Sequence, residues 1–516
     1  LRTLSRFGMA GVTAMCSVGA AIGACATMWG IAVAVGSGYS TALFATVIAL
    51  TLSRRTFADR AEFLRTSALL PVVGLAAAAV GWLLVALPAV GAAAFVAGMS
   101  LPIWMRRFGE RASRAGALIT LPFVAILVAP TAPPHTGRWW LDLLMLVGAS
   151  VVAILWVWLF RDLGALLTVG RAGSVAAAAP TRGRAVAPED SSRRGATPRP
   201  SAGAKRSRAL PASTRMALQL AVALTAAFIV GRILFPEHSM WTVFTAFIVC
   251  SGNRGRGDVV YKSALRLGGA LVGTVGAVAL TFVVEPTGFS AVAVIFAALF
   301  LGTWLREYSY AYWALTITLV LTMLQGLLGT APADAGEIGL MLGERMLAIV
   351  AGAALGIAAS WFLLPVRSAD VVRKRLSEAL LALTAVFAPP PDDAAPTSRA
   401  ERAAAFRASV DRLEQLAPAH RAHRAVYRHR RHARPIDCIE AAAALPDTLD
   451  RRLAAGARGD APPAATGAGE ADPATERARL RDAIRTARQS LAAPADFDRI
   501  LGALQALRAA LGPPVA

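Results

Sequence analysis

Twelve apolar runs, separated by short basic or Gly- and Pro-containing stretches, organise most of the chain. They lie near 8–35, 39–53, 66–87, 89–105, 116–132 and 139–160, and again near 215–235, 240–251, 264–284, 289–305, 309–329 and 339–364. The runs are continuous rather than alternating at period two, and several approach the roughly 20 residues that a helix needs to cross a bilayer. Lipid offers the backbone no hydrogen-bond partners, so such runs must form helices that satisfy their own N–H and C=O groups. The pattern predicts an all-α polytopic membrane protein built of two blocks of six spans. The second run of each block is short for a span, and its ends, Ser53-Arg54-Arg55 and Ser251-Gly252-Asn253-Arg254, are polar.

The pattern changes twice. Between the blocks, residues 170–214 turn to Pro, Ser, Gly, Ala and Arg, a composition that buries too little apolar surface to order itself. After residue 366 the chain becomes Ala- and Arg-rich, with apolar positions at helical spacing in VVRKRLSEALLALTAVF, FRASVDRLEQL and FDRILGALQALRAAL. The expected domains are a first transmembrane block over 1–168, a disordered basic cytoplasmic linker over 169–214, a second transmembrane block over 215–366 and a cytoplasmic α-helical C-terminal region over 367–516. The first apolar run is too long for the h-region of a signal peptide and reads as a span.

Composition agrees. Of 516 residues, 56% are hydrophobic and 16% charged, with mean hydropathy +0.54; soluble domains run roughly 45–50% apolar and about 25% charged, which argues against a single soluble globule. The net charge of +21 is placed on one side. With the amino terminus in the cytoplasm, one set of loops carries Arg54, Arg55, Arg60, Arg65, Arg106, Arg107, Arg111, Arg114, Arg254, Arg256, Lys262, Arg266 and Arg306, and the opposite set holds only Arg138, with Arg232 near a helix end. Cytoplasmic loops carry the Lys/Arg excess, so both termini and the linker are expected in the cytoplasm of a multi-pass protein of the cytoplasmic membrane.

This charge marks topology and contact with membrane lipid, and without a recognised fold behind it no nucleic-acid partner is expected. Gly257-Asp258-Val259-Val260-Tyr261-Lys262-Ser263 has Tyr261 where a phosphate loop needs Gly before its Lys, and neither GxSxG nor HExxH occurs. No enzymatic activity and no cofactor are expected. Cys16, Cys25, Cys250 and Cys438 form no CxxC pair and are expected as free thiols, without a disulfide framework or a zinc site. His420, His423, His429 and His432 are interleaved with Arg, which repels a metal ion; a basic surface near anionic headgroups is expected there.

Placing residue n over residue n+200 aligns Phe44 with Phe244, Arg54 with Arg254, Leu101 with Leu301, Trp104 with Trp304 and Arg106 with Arg306. The blocks read as a duplication. Six spans in each give both copies the same orientation, hence parallel repeats about an axis along the membrane normal.

In the second block, Trp241-Thr242-Val243-Phe244-Thr245, a polar Gly-rich turn and Arg266-Leu267-Gly268-Gly269-Ala270-Leu271-Val272-Gly273 resemble the fusaric acid resistance (FUSC-like) family of aromatic acid exporters. In that family a W-x-x-x-T span leads through a short loop into R-x-x-G-T-x-x-G. Tyr312-Trp313-Ala314-Leu315-Thr316-Ile317-Thr318 is similar to the family's aromatic span, and Glu344-Arg345 with Gly352, Gly356 and Pro365 to its last one. The resemblance covers about 215–367. It implies secondary active export of aromatic or other hydrophobic weak acids, coupled to protons, with a periplasmic adaptor in a Gram-negative host and room for a homo-oligomer. An organic-anion channel of similar fold and a membrane-anchored scaffold acting through its tail are the alternatives.

Ionisable groups inside apolar spans are costly and therefore candidate working groups. Arg266 and Arg345 are candidate contacts for a weak-acid anion, with Asn253 and Arg254 at the polar end of the short span. Trp241 and Tyr312 are candidates to stack an aromatic substrate. Glu344 and Asp142 are candidates for proton coupling; as neighbours, Glu344 and Arg345 point about 100° apart and are not expected to pair with each other. The plainer alternatives are arginines that only signal topology, Glu344 and Arg345 that snorkel outward, and Asp142, Trp241 and Tyr312 as interfacial residues. Gly19/Gly23, Gly269/Gly273 and Gly352/Gly356 are spaced to let helices approach closely.

Overall fold

A computed structural model describes residues 2–36, 40–53, 55, 57, 60–128, 139–175, 211–251, 256–281, 288–306, 308–327, 335–363, 368–387, 399–426, 433–458, 473–492 and 496–512. Every regular element among them is helical. The chain divides into two compact units, Leu1–Ser251 with Lys262–Leu364, and Gly252–Tyr261 with Pro365–Ala516.

The first unit opens with α1 (Arg2–Val35), α2 (Ser40–Leu52), α3 (Arg60–Ser67), α4 (Leu70–Ala86), α5 (Pro88–Met105), α6 (Glu110–Val128) and α7 (Trp139–Val175). It continues with α8 (Ala212–Leu234), α9 (Ser239–Cys250), α10 (Arg256–Thr281, in this unit from Lys262 onward), α11 (Gly288–Leu305), α12 (Tyr310–Leu327) and α13 (Ala335–Phe362). Most of the segment expected as a linker, 176–210, lies outside the described residues. Nine helical stretches among the described residues are long and apolar enough to cross a membrane, and α2, α9 and part of α6 are shorter apolar helices. Large apolar side chains such as Ile233, Phe289 and Phe362 stand exposed on this unit, a surface that suits lipid rather than water. The protein is an all-helical, multi-pass membrane protein.

The two largest apolar cores of the first unit each draw on both halves of the chain. One gathers Ala21, Ile48 and Ala149 from α1, α2 and α7 with Leu299 of α11 and Val320 of α12. The other gathers Phe95 and Phe123 of α5 and α6 with Leu220, Phe244 and Ala359 of α8, α9 and α13. The exchange is reciprocal, because α1 packs on α11 while α8 packs on α5, helices that occupy matching places 200 residues apart.

Between lipid-embedded helices there is little hydrophobic driving force, so close fit must hold them. The spaced glycines supply it. Side chains at Gly19 and Gly23 would collide with Phe160 and Trp156 of α7; at Gly269 and Gly273, with α12; at Gly352 and Gly356, with α9.

The second unit carries α14 (Ser368–Phe387), α15 (Arg399–Glu414), α16 (Ala417–Val426), α17 (Pro435–Ala443), α18 (Leu445–Arg458), α19 (Pro473–Ser490) and α20 (Phe497–Leu511). Their amphipathic faces meet in a core that includes Leu380, Phe406, Ile439, Leu480 and Leu504. Much of the charge is tied locally. Arg407 pairs with Asp450, Arg421 with Glu440, and Arg424 with Asp437 and Glu440, so two arginines of the Arg/His-rich stretch face carboxylates of α17. Burial, with Asp437 and Asp498 nearby, pushes the Cys438 thiol up to about 12, which leaves it unreactive near neutral pH. His429 and His432 lie outside the described residues.

The glycine contacts generate a paired prediction. Gly273→Leu forces α12 away from α10 and destabilises the protein by about 1–3 kcal/mol, as overpacking does. Gly268 has no neighbour within 4 Å of a built Cβ, so Gly268→Ala is neutral or stabilises by up to about 1 kcal/mol through helix propensity. Thermal unfolding of the two variants in detergent checks the difference.

Candidate functional site

Arg266 and Arg345 are the largest fully buried side chains among the described residues, each with 0% exposure. Their helices present them through glycine. On α10, Arg266 shares a face with Gly269 and Gly273 at helical spacings of three and seven, and the bare backbone there seats α12. Arg266 Nη1 consequently reaches both the Ala314 carbonyl and Thr318 Oγ1 at 3.4 Å. On α13, Gly352 and Gly356 follow Arg345 on the same face and seat α9. The Arg345 guanidinium lies 3.7 Å from the centroid of the Trp241 ring.

The two arginines meet at one residue of α12. Arg345 Nη1 donates to Thr322 Oγ1 at 2.6 Å and Nη2 to the Thr318 carbonyl at 3.0 Å, while Arg266 uses the Thr318 hydroxyl. Phe244 lies 5.4 Å from the Arg266 guanidinium. Arg266 lies inside the apolar stretch Gly257–Leu280 and Arg345 inside Leu340–Phe362.

No carboxylate among the described residues pairs with either arginine. Arg266 Nε and Nη2 and Arg345 Nε are buried without a hydrogen-bond partner, as are the hydroxyls of Thr242, Thr245 and Thr274. Each unsatisfied buried donor costs about 1–3 kcal/mol, more when charged, and two like charges in a low-dielectric surrounding raise the cost. A negatively charged group that accepts several hydrogen bonds relieves both penalties, and the indole and phenyl rings beside the guanidinium groups provide an apolar wall.

Glu344 belongs elsewhere. Its side chain is exposed, and its Oε2 lies 3.3 Å from Nδ1 of buried His238, in the turn between α8 and α9. Burial pushes the His238 imidazole below its usual range; Glu344 pulls it back up and Arg345 pushes it down. Neighbouring positions on α13 thus serve different groups, Arg345 facing Trp241 and Glu344 facing His238.

Of the residues singled out from sequence, the fold brings together Trp241, Arg266 and Arg345. Tyr312 is exposed and stands apart; Tyr310, two residues earlier, is the tyrosine within electrostatic reach of Arg266. Asp142 lies in the first turn of α7 with one carboxylate oxygen buried and unbonded, and takes no part in the Thr318 group. Asn253 and Arg254 lie outside the described residues. Sequence reasoning missed His238, Thr318 as the shared acceptor, and Thr322. Two hundred residues upstream, the positions of Trp241, Arg266, Thr318 and Arg345 hold Thr41, Thr66, Leu118 and Met145, so the arginine pair has no counterpart in the first block.

Residues 222–359 match the family model described as fusaric acid resistance protein-like. The match covers all of α9, α10, α11 and α12 and reaches past Arg345, so the resemblance carried by the Trp241 and Arg266 motifs is shown over the segment that builds the site. Among curated proteins, none matches the chain.

The His238 environment makes a titration prediction. With histidines labelled at Cε1, the His238 resonance titrates below 6.5. Glu344→Gln moves the midpoint further down, because the group that favours imidazolium is lost, and Arg345→Gln moves it up. Since the folded value is lowered, the contribution of this site to stability is present above 6.5 and is lost as the pH falls through the folded value.

Proposed function

We propose, from the fusaric acid resistance protein-like segment and the site it contains, that the protein is a secondary active exporter of aromatic or other hydrophobic weak acids across the cytoplasmic membrane, coupled to protons. The observation that carries this reading is the convergence of Arg266 and Arg345, both buried and without carboxylate partners among the described residues, beside Trp241 and Phe244. A carboxylate fits the guanidinium donors, and an aromatic body fits the rings. In this reading the twelve apolar helices are spans in two parallel repeats, the termini and the helical C-terminal unit are cytoplasmic, and substrate approaches from the Arg-rich inner loops.

Arg266 and Arg345 hold the carboxylate, and Thr318 and Thr322 orient the guanidinium groups. Protonation of Glu344 or His238 changes the charge next to Arg345 without a change in the packing around it. A proton arriving there raises the positive field at the site, and its departure lowers it. Binding of the acid anion is thereby linked to proton occupancy.

Inverted membrane vesicles with an imposed proton gradient test the proposal. Arg266→Gln and Arg345→Gln each lower the initial rate of aromatic-acid uptake at least about tenfold, the ratio expected for loss of one charge-assisted hydrogen bond of about 1.5–3 kcal/mol. Truncation after Arg367 leaves uptake measurable. Current that flows without proton dependence would identify a channel. Activity that survives both substitutions but not the truncation would identify a scaffold.

A further inference from the structure

We infer that the first block holds a second anion site, for an organic carboxylate with an apolar body, in the cavity between α1, the end of α2 and α7. The cavity opens at the surface and has a volume of about 360 Å³, within the roughly 300–1,000 Å³ usual for small-molecule sites. Val12, Leu52 and Val157 give it apolar walls, Ser17 and Ser53 bring hydroxyl groups, and Arg161 brings a positive charge. It shares no residue with the Thr318 group and does not depend on the transport reading.

Arg161 is oriented by its neighbours. Its Nη2 donates to the Phe57 carbonyl at 3.0 Å, and its guanidinium lies 5.2 Å from the Phe57 ring and 5.7 Å from the Phe63 ring. These contacts fix the guanidinium plane but do not neutralise it. The adjacent carboxylate, Asp162, is engaged by Arg60 at 3.1 Å, and no carboxylate among the described residues pairs with Arg161. Arg55 lies on the same wall, donating to the Ala117 carbonyl at 2.5 Å. No acidic residue is among the described residues that line the cavity. The Arg161 guanidinium disfavours a cation, and the apolar walls disfavour a fully hydrated inorganic ion. The remaining match is an anion with an apolar body, its carboxylate at Arg161 and its hydrocarbon against α1 and α2.

Cys16 lines the cavity and reports on it. The experiment uses the full chain with Cys25, Cys250 and Cys438 replaced by Ala, in phosphatidylcholine nanodiscs, and follows alkylation of Cys16 by N-ethylmaleimide. 2-Naphthoate slows the reaction with a saturable dose dependence, and its neutral analogue 2-naphthamide does not. Arg345→Gln leaves this protection intact. Arg161→Gln raises the half-protecting concentration at least about tenfold, and Arg161→Lys, which keeps the charge, gives an intermediate value and stands in if the Gln variant does not fold. The inference is overturned if Cys16 is inert, if the amide protects as well as the acid, or if both Arg161 variants behave as the parent. It is also overturned if phosphatidylglycerol in the nanodisc protects without added acid and naphthoate then adds nothing, which would assign the cavity to a lipid headgroup.

Discussion

Two positive charges held inside an apolar helical unit, with no carboxylate among the described residues to meet them, are the constraint on which the rest of this structure depends. An arginine at the centre of a bilayer-spanning helix costs about 2.5–3.5 kcal/mol on insertion scales, and a second one nearby adds repulsion. The structure does not remove this cost by pairing. It moderates it with hydrogen bonds to Thr318, Thr322 and the Ala314 carbonyl and with the faces of Trp241 and Phe244. Three guanidinium nitrogens are still left without a partner. An apolar residue would pack at lower cost, as Met145 does at the place that matches Arg345 in the first block.

The glycine faces follow from that constraint. Arg266 can reach the carbonyls and hydroxyls of α12 only if α10 lies against it, and Gly269 and Gly273 permit that approach. Arg345 can lie over Trp241 only if α13 lies against α9, which Gly352 and Gly356 permit. Close helix contact and polar chemistry are two aspects of one arrangement, so a change at a glycine acts on the site without touching a polar atom. The reciprocal packing of α1 on α11 and α8 on α5 adds a frame in which the two main apolar cores draw on both halves of the chain.

Local chemistry made part of this legible. Continuous apolar runs announced the helices, and the short second helix of each block appears at 40–52 and 239–250 as the pattern implied. Arg266, Arg345 and Trp241 stood out because charge and indole are rare in such runs. The partners were hidden because they depend on which faces of distant helices meet. Thr318 is one of several threonines in α12, and nothing in its neighbourhood distinguishes it before α10 and α13 are placed on either side. His238 sits in a turn that reads as an ordinary loop, and only the fold shows Glu344 beside it. Tyr312 and Tyr310 differ by two positions, enough on a helix to turn one outward and leave the other near Arg266. The cavity at Arg161 escaped notice for the same reason, since its walls come from α1, α2 and α7.

The claim that matters most is that Arg266 and Arg345 act on one and the same anion. A double-mutant cycle on equilibrium binding tests it directly, with a radiolabelled aromatic carboxylate and the purified protein as parent, Arg266→Gln, Arg345→Gln and the double variant. If both guanidinium groups hold one carboxylate, the two losses are strongly non-additive and the double variant binds little worse than either single one. With Arg161→Gln carried in all four proteins so that only this site is read, losses that simply add would contradict the account.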